Sequence, residues 1–179
     1  VSILKKITQK RKAFTLLELI IALGIMALVS AIILPFFLGN YKSLDETSAR
    51  SELQHEAQTV NSIASQKLME VKEIKEIKDI HNLDAIDSSL EVNLKYLIYL
   101  DGEGKENKLE LVNNKLEFIE NSTSSRKAAG GNIESIFIKP LSQGKIFKET
   151  HGVTLNIKFK NEKREYSIEN IINFRNKSK

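Results

Sequence analysis

Hydrophobic and polar positions divide the chain into three stretches with different periods. From Leu19 to Leu38, LIIALGIMALVSAIILPFFL, twenty successive residues carry no formal charge. As a helix rising about 1.5 Å per residue, this run matches the roughly 30 Å hydrocarbon core of a bilayer. Farther on, Leu53, Ala57, Val60, Ala64, Leu68 and Val71 recur at steps of three and four, while Glu52, Gln54, Glu56, Gln58 and Lys67 fall largely elsewhere. That spacing marks one apolar helical face. The two stretches together predict one helix from about Phe14 to near Met69, apolar all round in its first half and one-sided in its second.

From Val92 the period shortens. VNLKYLIYL (92–100), KLELV (108–112), KLEFIE (115–120), IESIFIK (133–139), VTLNIKFK (153–160) and REYSIENI (164–171) are rich in β-branched and aromatic residues and read as strands. In VTLNIKFK, Val153, Leu155, Ile157 and Phe159 alternate strictly with polar neighbours, so one side of the strand faces a core and the other faces water. DGEGK (101–105), Asn113-Asn114 and Asn161-Glu162-Lys163 are turn signals between them. NSTSSRKAAGGN (121–132) reads as a loop, with too little apolar content to pack, and the tail after Phe174 is expected to fray. VKEIKEIKDI (71–80) has apolar residues at every third position and fits neither period, leaning to a short strand or an irregular connection. The expected fold is α+β: a long N-terminal helix, membrane-spanning and then amphipathic, packed on an antiparallel β-sheet head.

Charge sharpens this picture at the N-terminus. The formal net charge is +4 over 179 residues, but Lys5, Lys6, Lys10, Arg11 and Lys12 all precede Ala13, leaving 22 basic residues against 23 acidic ones in the remainder. The basic pI is therefore a property of the leader and says little about nucleic acid. Cations before the apolar run, with no equal cluster after it, predict a cytoplasmic N-terminus and a single-pass membrane protein whose head lies outside. A cleaved secretory signal has a shorter apolar core of about 7 to 15 residues and a small-residue cleavage site, which this run lacks. A plain anchor leaves Glu18 unexplained, because an unpaired carboxylate at the bilayer centre costs on the order of 2.5 to 3.5 kcal/mol. The chain has no cysteine, so disulfides, thiolate metal sites and cysteine nucleophiles are excluded.

Ala13-Phe14-Thr15-Leu16-Leu17-Glu18, following the basic run and preceding the apolar one, resembles the prepilin signal of type IV pilins, competence pilins and type II secretion pseudopilins. The resemblance implies a cut between Ala13 and Phe14 by prepilin peptidase, then N-methylation of Phe14. Ala13 departs from the glycine usual before the cut, which bears on processing efficiency. It also implies a partner for Glu18, the new Phe14 amine of a neighbouring subunit, whose unperturbed pKa is about 7.7 to 8.0 and which is therefore mostly cationic. Gly24 and Pro35 weaken the helix within the span, Pro35 by removing a bond to the carbonyl of Ala31; many pilins carry such residues where the helix loosens in the filament. The implied organisation is a basic leader (1–13), a transmembrane or filament-core helix (14–40), its amphipathic second half (41–70) and a β-rich head (71–179). The β-rich head and the closing IINFRN resemble J-type minor pseudopilins and related minor pilins.

No cofactor or metal is expected. His55, His81 and His151 are scattered, Gly102-Glu103-Gly104-Lys105 lacks the context of a phosphate loop, and Asp101, Glu103 and Glu106 lack an EF-hand pattern. The sequons at Asn121 and Asn176 are expected by chance in an Asn-rich chain. No nucleophile, base and orienting group stand together, so a structural subunit rather than an enzyme is expected, in a type IV pilus, a competence pilus or a protein-secretion filament. Its implied partners are prepilin peptidase, other pilin or pseudopilin subunits, an inner-membrane assembly platform and, before assembly, membrane lipid; its final location is a cell-surface filament. Two rivals stand beside it: a DNA-binding competence pilin or tip adhesin, and a non-polymerising membrane-anchored domain. Lys105, Lys108, Arg126, Lys127, Lys139, Lys145, Lys148, Lys158, Lys160, Lys163 and Arg164 are candidates for a DNA-contacting face, although interspersed acidic residues favour a solvated surface.

Overall fold

The first two stretches of the pattern form one helix, α1 (Leu16–Met69), in a computed structural model that describes residues 15–120, 125–161 and 164–177. By its contacts the chain separates into two compact units, Val1–Thr47 and Ser48–Lys179. In the first, the large apolar residues from Leu16 to Leu38 are all between 44% and 77% exposed. Among the described residues nothing covers this apolar half of the helix, which is the pattern of a segment made for lipid or for another protein.

The second unit holds the core. Leu53, Ala57, Val60, Ala64 and Leu68 are buried along one face of α1, as their spacing predicts. Among the described residues eight strands complete the unit: β1 (Val71–Asp79), β2 (Val92–Asp101), β3 (Glu106–Val112), β4 (Lys115–Glu120), β5 (Ser125–Ala129), β6 (Ile133–Pro140), β7 (Gly152–Asn161) and β8 (Arg164–Asn173). All neighbours are antiparallel, in the order β5-β4-β3-β2-β6-β7-β8, with β1 added to β2. Strand β2 joins the two halves of the sheet, pairing β1 between Leu94 and Asp101, β3 between Tyr96 and Leu100, and β6 at Val92 and Asn93. Val153, Leu155, Ile157 and Phe159 of β7 are all buried, as strict alternation requires.

The ambiguous stretch after the helix is strand β1, and its odd period has a mechanical cause. Its register against β2 slips between Val71 and Glu73 and again between Ile74 and Glu76. Each bulge inserts one residue, so the inward positions fall three apart instead of two, at Val71, Ile74 and Ile77, and all three are buried.

Two expectations are corrected. Residues 125–129, read as loop, form β5 on the edge of β4, with Ala129 buried opposite Leu116. An edge strand is held by its ladder and needs little apolar content, which is why composition missed it. Residues 174–177, expected to fray after Phe174, are also tied down: Phe174 is buried and its N–H donates to the carbonyl of His151 at 2.8 Å, and the N–H of Arg175 donates to the carbonyl of Met69 at 2.9 Å. The turns behave as their residues demand. Asn113 and Asn114 adopt φ of 48° and 63°, the mirror-image hairpin turn that asparagine tolerates. In DGEGK, Asp101 Oδ1 accepts from the N–H groups of Glu103 and Lys105, both at 2.9 Å, and Oδ2 accepts from Asn107 Nδ2 at 3.0 Å. Those bonds hold the carboxylate below its ordinary pKa even though its partial burial works against this.

Between β5 and β6 the chain turns against the helix. Gly130 has φ of +63°, and a Cβ there would stand 2.2 Å from Val60 Cγ2. Gly130→Ala combines a strained backbone with an overlap on a buried helix residue, and is expected to destabilise the head by about 1–3 kcal/mol. Denaturant unfolding of the full chain in detergent micelles measures this as a lowered midpoint with an unchanged slope.

Candidate assembly site

The start of α1 is fixed by four residues, Thr15-Leu16-Leu17-Glu18. The backbone N–H of Thr15 donates to Glu18 Oε2 at 2.9 Å, the Thr15 hydroxyl donates to the same oxygen at 3.0 Å, and the N–H of Glu18 donates to Thr15 Oγ1 at 3.2 Å. This is a reciprocal capping box, in which threonine and glutamate three apart each satisfy an otherwise orphaned N–H of the first turn. The carboxylate also sits where the helix dipole favours negative charge. Glu18 therefore has a local reason to be where it is, and Thr15 is the residue that sequence reasoning missed. Its signal was present as T-x-x-E ahead of an apolar run.

The other sequence-derived positions fall as follows. Ala13 and Phe14 lie outside the described residues. Gly24 and Pro35 both lie within α1, which continues through them without interruption, although Pro35 offers no N–H to the carbonyl of Ala31. A Cβ at Gly24 would meet nothing within 4 Å. Among the described residues the absence of a side chain there serves no contact.

In the head, Glu56 is the second missed residue. Placed by sequence on the polar side of the helix, it is half-buried and accepts from the N–H of Gly131 and, at 3.1 Å, from Asn132 Nδ2, so it fastens the β5–β6 turn to α1. Near the helix end, Lys67 Nζ lies 3.1 Å from Glu120 of β4 and 3.4 Å from Glu70. Partial burial opposes the ammonium, but the two carboxylates outweigh it and raise the lysine pKa, while the bond from Lys67 lowers that of Glu120.

Several candidate DNA-contacting lysines are already paired: Lys105 with Glu103 at 2.6 Å, Lys108 with Glu110 at 2.8 Å, and Lys160 with Glu165 at 3.0 Å and Glu134 at 3.2 Å. Lys158 stands 5.0 Å from the centre of the Phe137 ring. Among the described residues no three His, Cys, Asp or Glu side chains converge on a metal-sized site. The start of α1 thus sets a fixed carboxylate at the head of an apolar helix whose large side chains are exposed among the described residues.

The capping box predicts its own test. Thr15→Ala removes a side-chain acceptor and a donor from the first turn, which costs about 1 kcal/mol of local helix stability. Hydrogen exchange at the first amides of α1 in detergent should quicken roughly fivefold, with the head unchanged; unchanged exchange at those amides would remove the box.

A family model described as the prokaryotic N-terminal methylation motif matches residues 8–34. Comparisons with curated proteins and with solved structures return no match. The matched segment contains Lys10, Arg11 and Lys12 of the basic run, the Thr15–Glu18 box and most of the uncharged span, and it supports a type IV pilin-like protein that prepilin peptidase processes.

Proposed function

We propose that the chain is a minor pilin or minor pseudopilin, a structural subunit held first in the cytoplasmic membrane and then packed into a filament through α1. The observation that carries this reading is the order of parts within residues 8–34: cations, a small residue, F-T-L-L-E, then an apolar helix whose large side chains are exposed among the described residues. Peptidase cuts between Ala13 and Phe14, and Phe14 is methylated. The cut leaves the capping box intact, because Thr15 keeps its peptide N–H. Both bonds from Thr15 end on Glu18 Oε2, so Oε1 is the oxygen offered to the Phe14 amine of a neighbouring subunit. A carboxylate held by its own helix and paired across the interface is tolerable in surroundings that exclude water. Gly24 and Pro35 make the intervening helix extensible. The pairing of Lys105, Lys108 and Lys160 with nearby carboxylates favours this structural role over DNA binding.

Mass spectrometry of the chain from cells with active peptidase should show methylated Phe14 as its first residue; an intact leader would contradict the proposal. In the same cells Glu18→Ala should leave cleavage largely intact while reducing incorporation into filaments more than tenfold. Thr15→Ala, which spares the carboxylate, should reduce it less. Equal losses in the two variants would assign the defect to the cap rather than to pairing between subunits.

A further inference from the structure

Helix α1 ends abruptly. Met69 is followed by Glu70 and then at once by β1, and among the described residues no left-handed residue stands at this end to turn the chain back on its own carbonyls. A helix terminus leaves its last carbonyls without intrahelical partners, and a buried end needs them supplied from elsewhere. Here the supplier is the far end of the chain. The N–H of Arg175 donates to the carbonyl of Met69 at 2.9 Å, and Asn176 Nδ2 donates to the carbonyl of Glu70 at 2.9 Å.

The same short segment grips two more elements. Phe174 is buried and bonded to His151, and Lys177 Nζ donates to the carbonyl of Lys148 at 2.6 Å, both on the β6–β7 connection. The Asn176 side chain rests on the β2–β3 turn, where Gly102 makes room: a Cβ at Gly102 would stand 2.7 Å from Asn176 Nδ2 and 2.8 Å from its Cγ. Asn176 and Glu70 form the wall common to two clefts, one of about 700 Å³ running along the helix toward Asn61 and one of about 500 Å³ running toward Asp101 and Lys105.

We propose that residues 174–177 act as a latch: they cap the C-terminus of α1 and hold its last turn against the sheet, and when they lift, the helix end loosens and the two clefts merge into one groove. The latch depends only on contacts within Ser48–Lys179, so it stands apart from the filament reading. It is a non-covalent clasp in a chain that has no cysteine for a covalent one.

Hydrogen exchange followed by mass spectrometry, on the full chain in detergent micelles, tests this with four variants. Gly102→Ala forces Asn176 off its seat without altering the tail. Arg175→Pro deletes the backbone donor to Met69, whereas Arg175→Ala keeps it. Asn176→Ala removes only the side-chain bond to Glu70. Wild type should protect both 66–71 and 174–177. Arg175→Pro should speed exchange in both segments together by about tenfold, Asn176→Ala by less, Gly102→Ala by no more than Asn176→Ala, and Arg175→Ala by under twofold, with residues 153–159 of the core unchanged in all. If Gly102→Ala or Arg175→Pro disturbs the core segment, Asn176→Ala decides alone. A tail that exchanges freely in wild type, or a last helical turn indifferent to Arg175→Pro and Asn176→Ala, would overturn the latch.

Discussion

Everything about this chain follows from a helix half that water cannot be asked to cover. Side chains such as Leu19, Ile20, Phe36 and Phe37 are more than half exposed in the isolated chain. Each one moved out of water contributes about 1.5–3 kcal/mol. Summed over the span this far outweighs the cost of one carboxylate near its end, about 2.5 to 3.5 kcal/mol even at the bilayer centre. Glu18 is therefore affordable on energetic grounds, and the capping box lowers its cost further by giving one oxygen two donors within the same turn. What the box does not supply is a reason for a full negative charge, since a serine or threonine cap alone would start a helix. That surplus charge is what the proposed pairing between subunits uses.

The second half of α1 obeys a different constraint. Its apolar face is satisfied within the chain by the sheet, and its polar residues are recruited to hold the sheet's edges: Glu56 fastens the β5–β6 turn and Lys67 reaches β4. Its terminus is finished by the tail of the chain. One helix thus carries two surfaces of opposite kind, the first open to an exchange of surroundings and the second committed to its own head. The absence of cysteine places the whole of the second task on packing and hydrogen bonds.

The fold was legible wherever a period was clean. The twenty uncharged residues, the three-and-four spacing from Leu53 to Leu68 and the alternation in β7 each specify an element and its inward face. Legibility failed where backbone bonding, and not side-chain burial, decides the structure. Strand β5 is an edge held by its ladder, β1 hides its strand period behind two bulges, and the tail is fixed by donors to carbonyls more than a hundred residues away. At the candidate site the carboxylate stood out as an anomaly in an apolar context, whereas Thr15 looked ordinary; only the reciprocal bonds show that the two act together. Glu56 was invisible for a similar reason, because a polar residue on a polar helix face carries no sign that a distant turn will fold back onto it.

In the proposed assembly, the first half of α1 exchanges lipid for the helices of other subunits once the leader is removed. Because the chain has no native cysteine, pairs of cysteines placed along residues 19–38 and oxidised in intact cells report this directly. Cross-linked ladders extending beyond the dimer are expected when the bond between Ala13 and Phe14 has been cut, and none when the peptidase is inactive. Ladders that form equally well on the uncut chain, or a cut chain that never links more than two copies at any pair of positions, would contradict the proposed assembly.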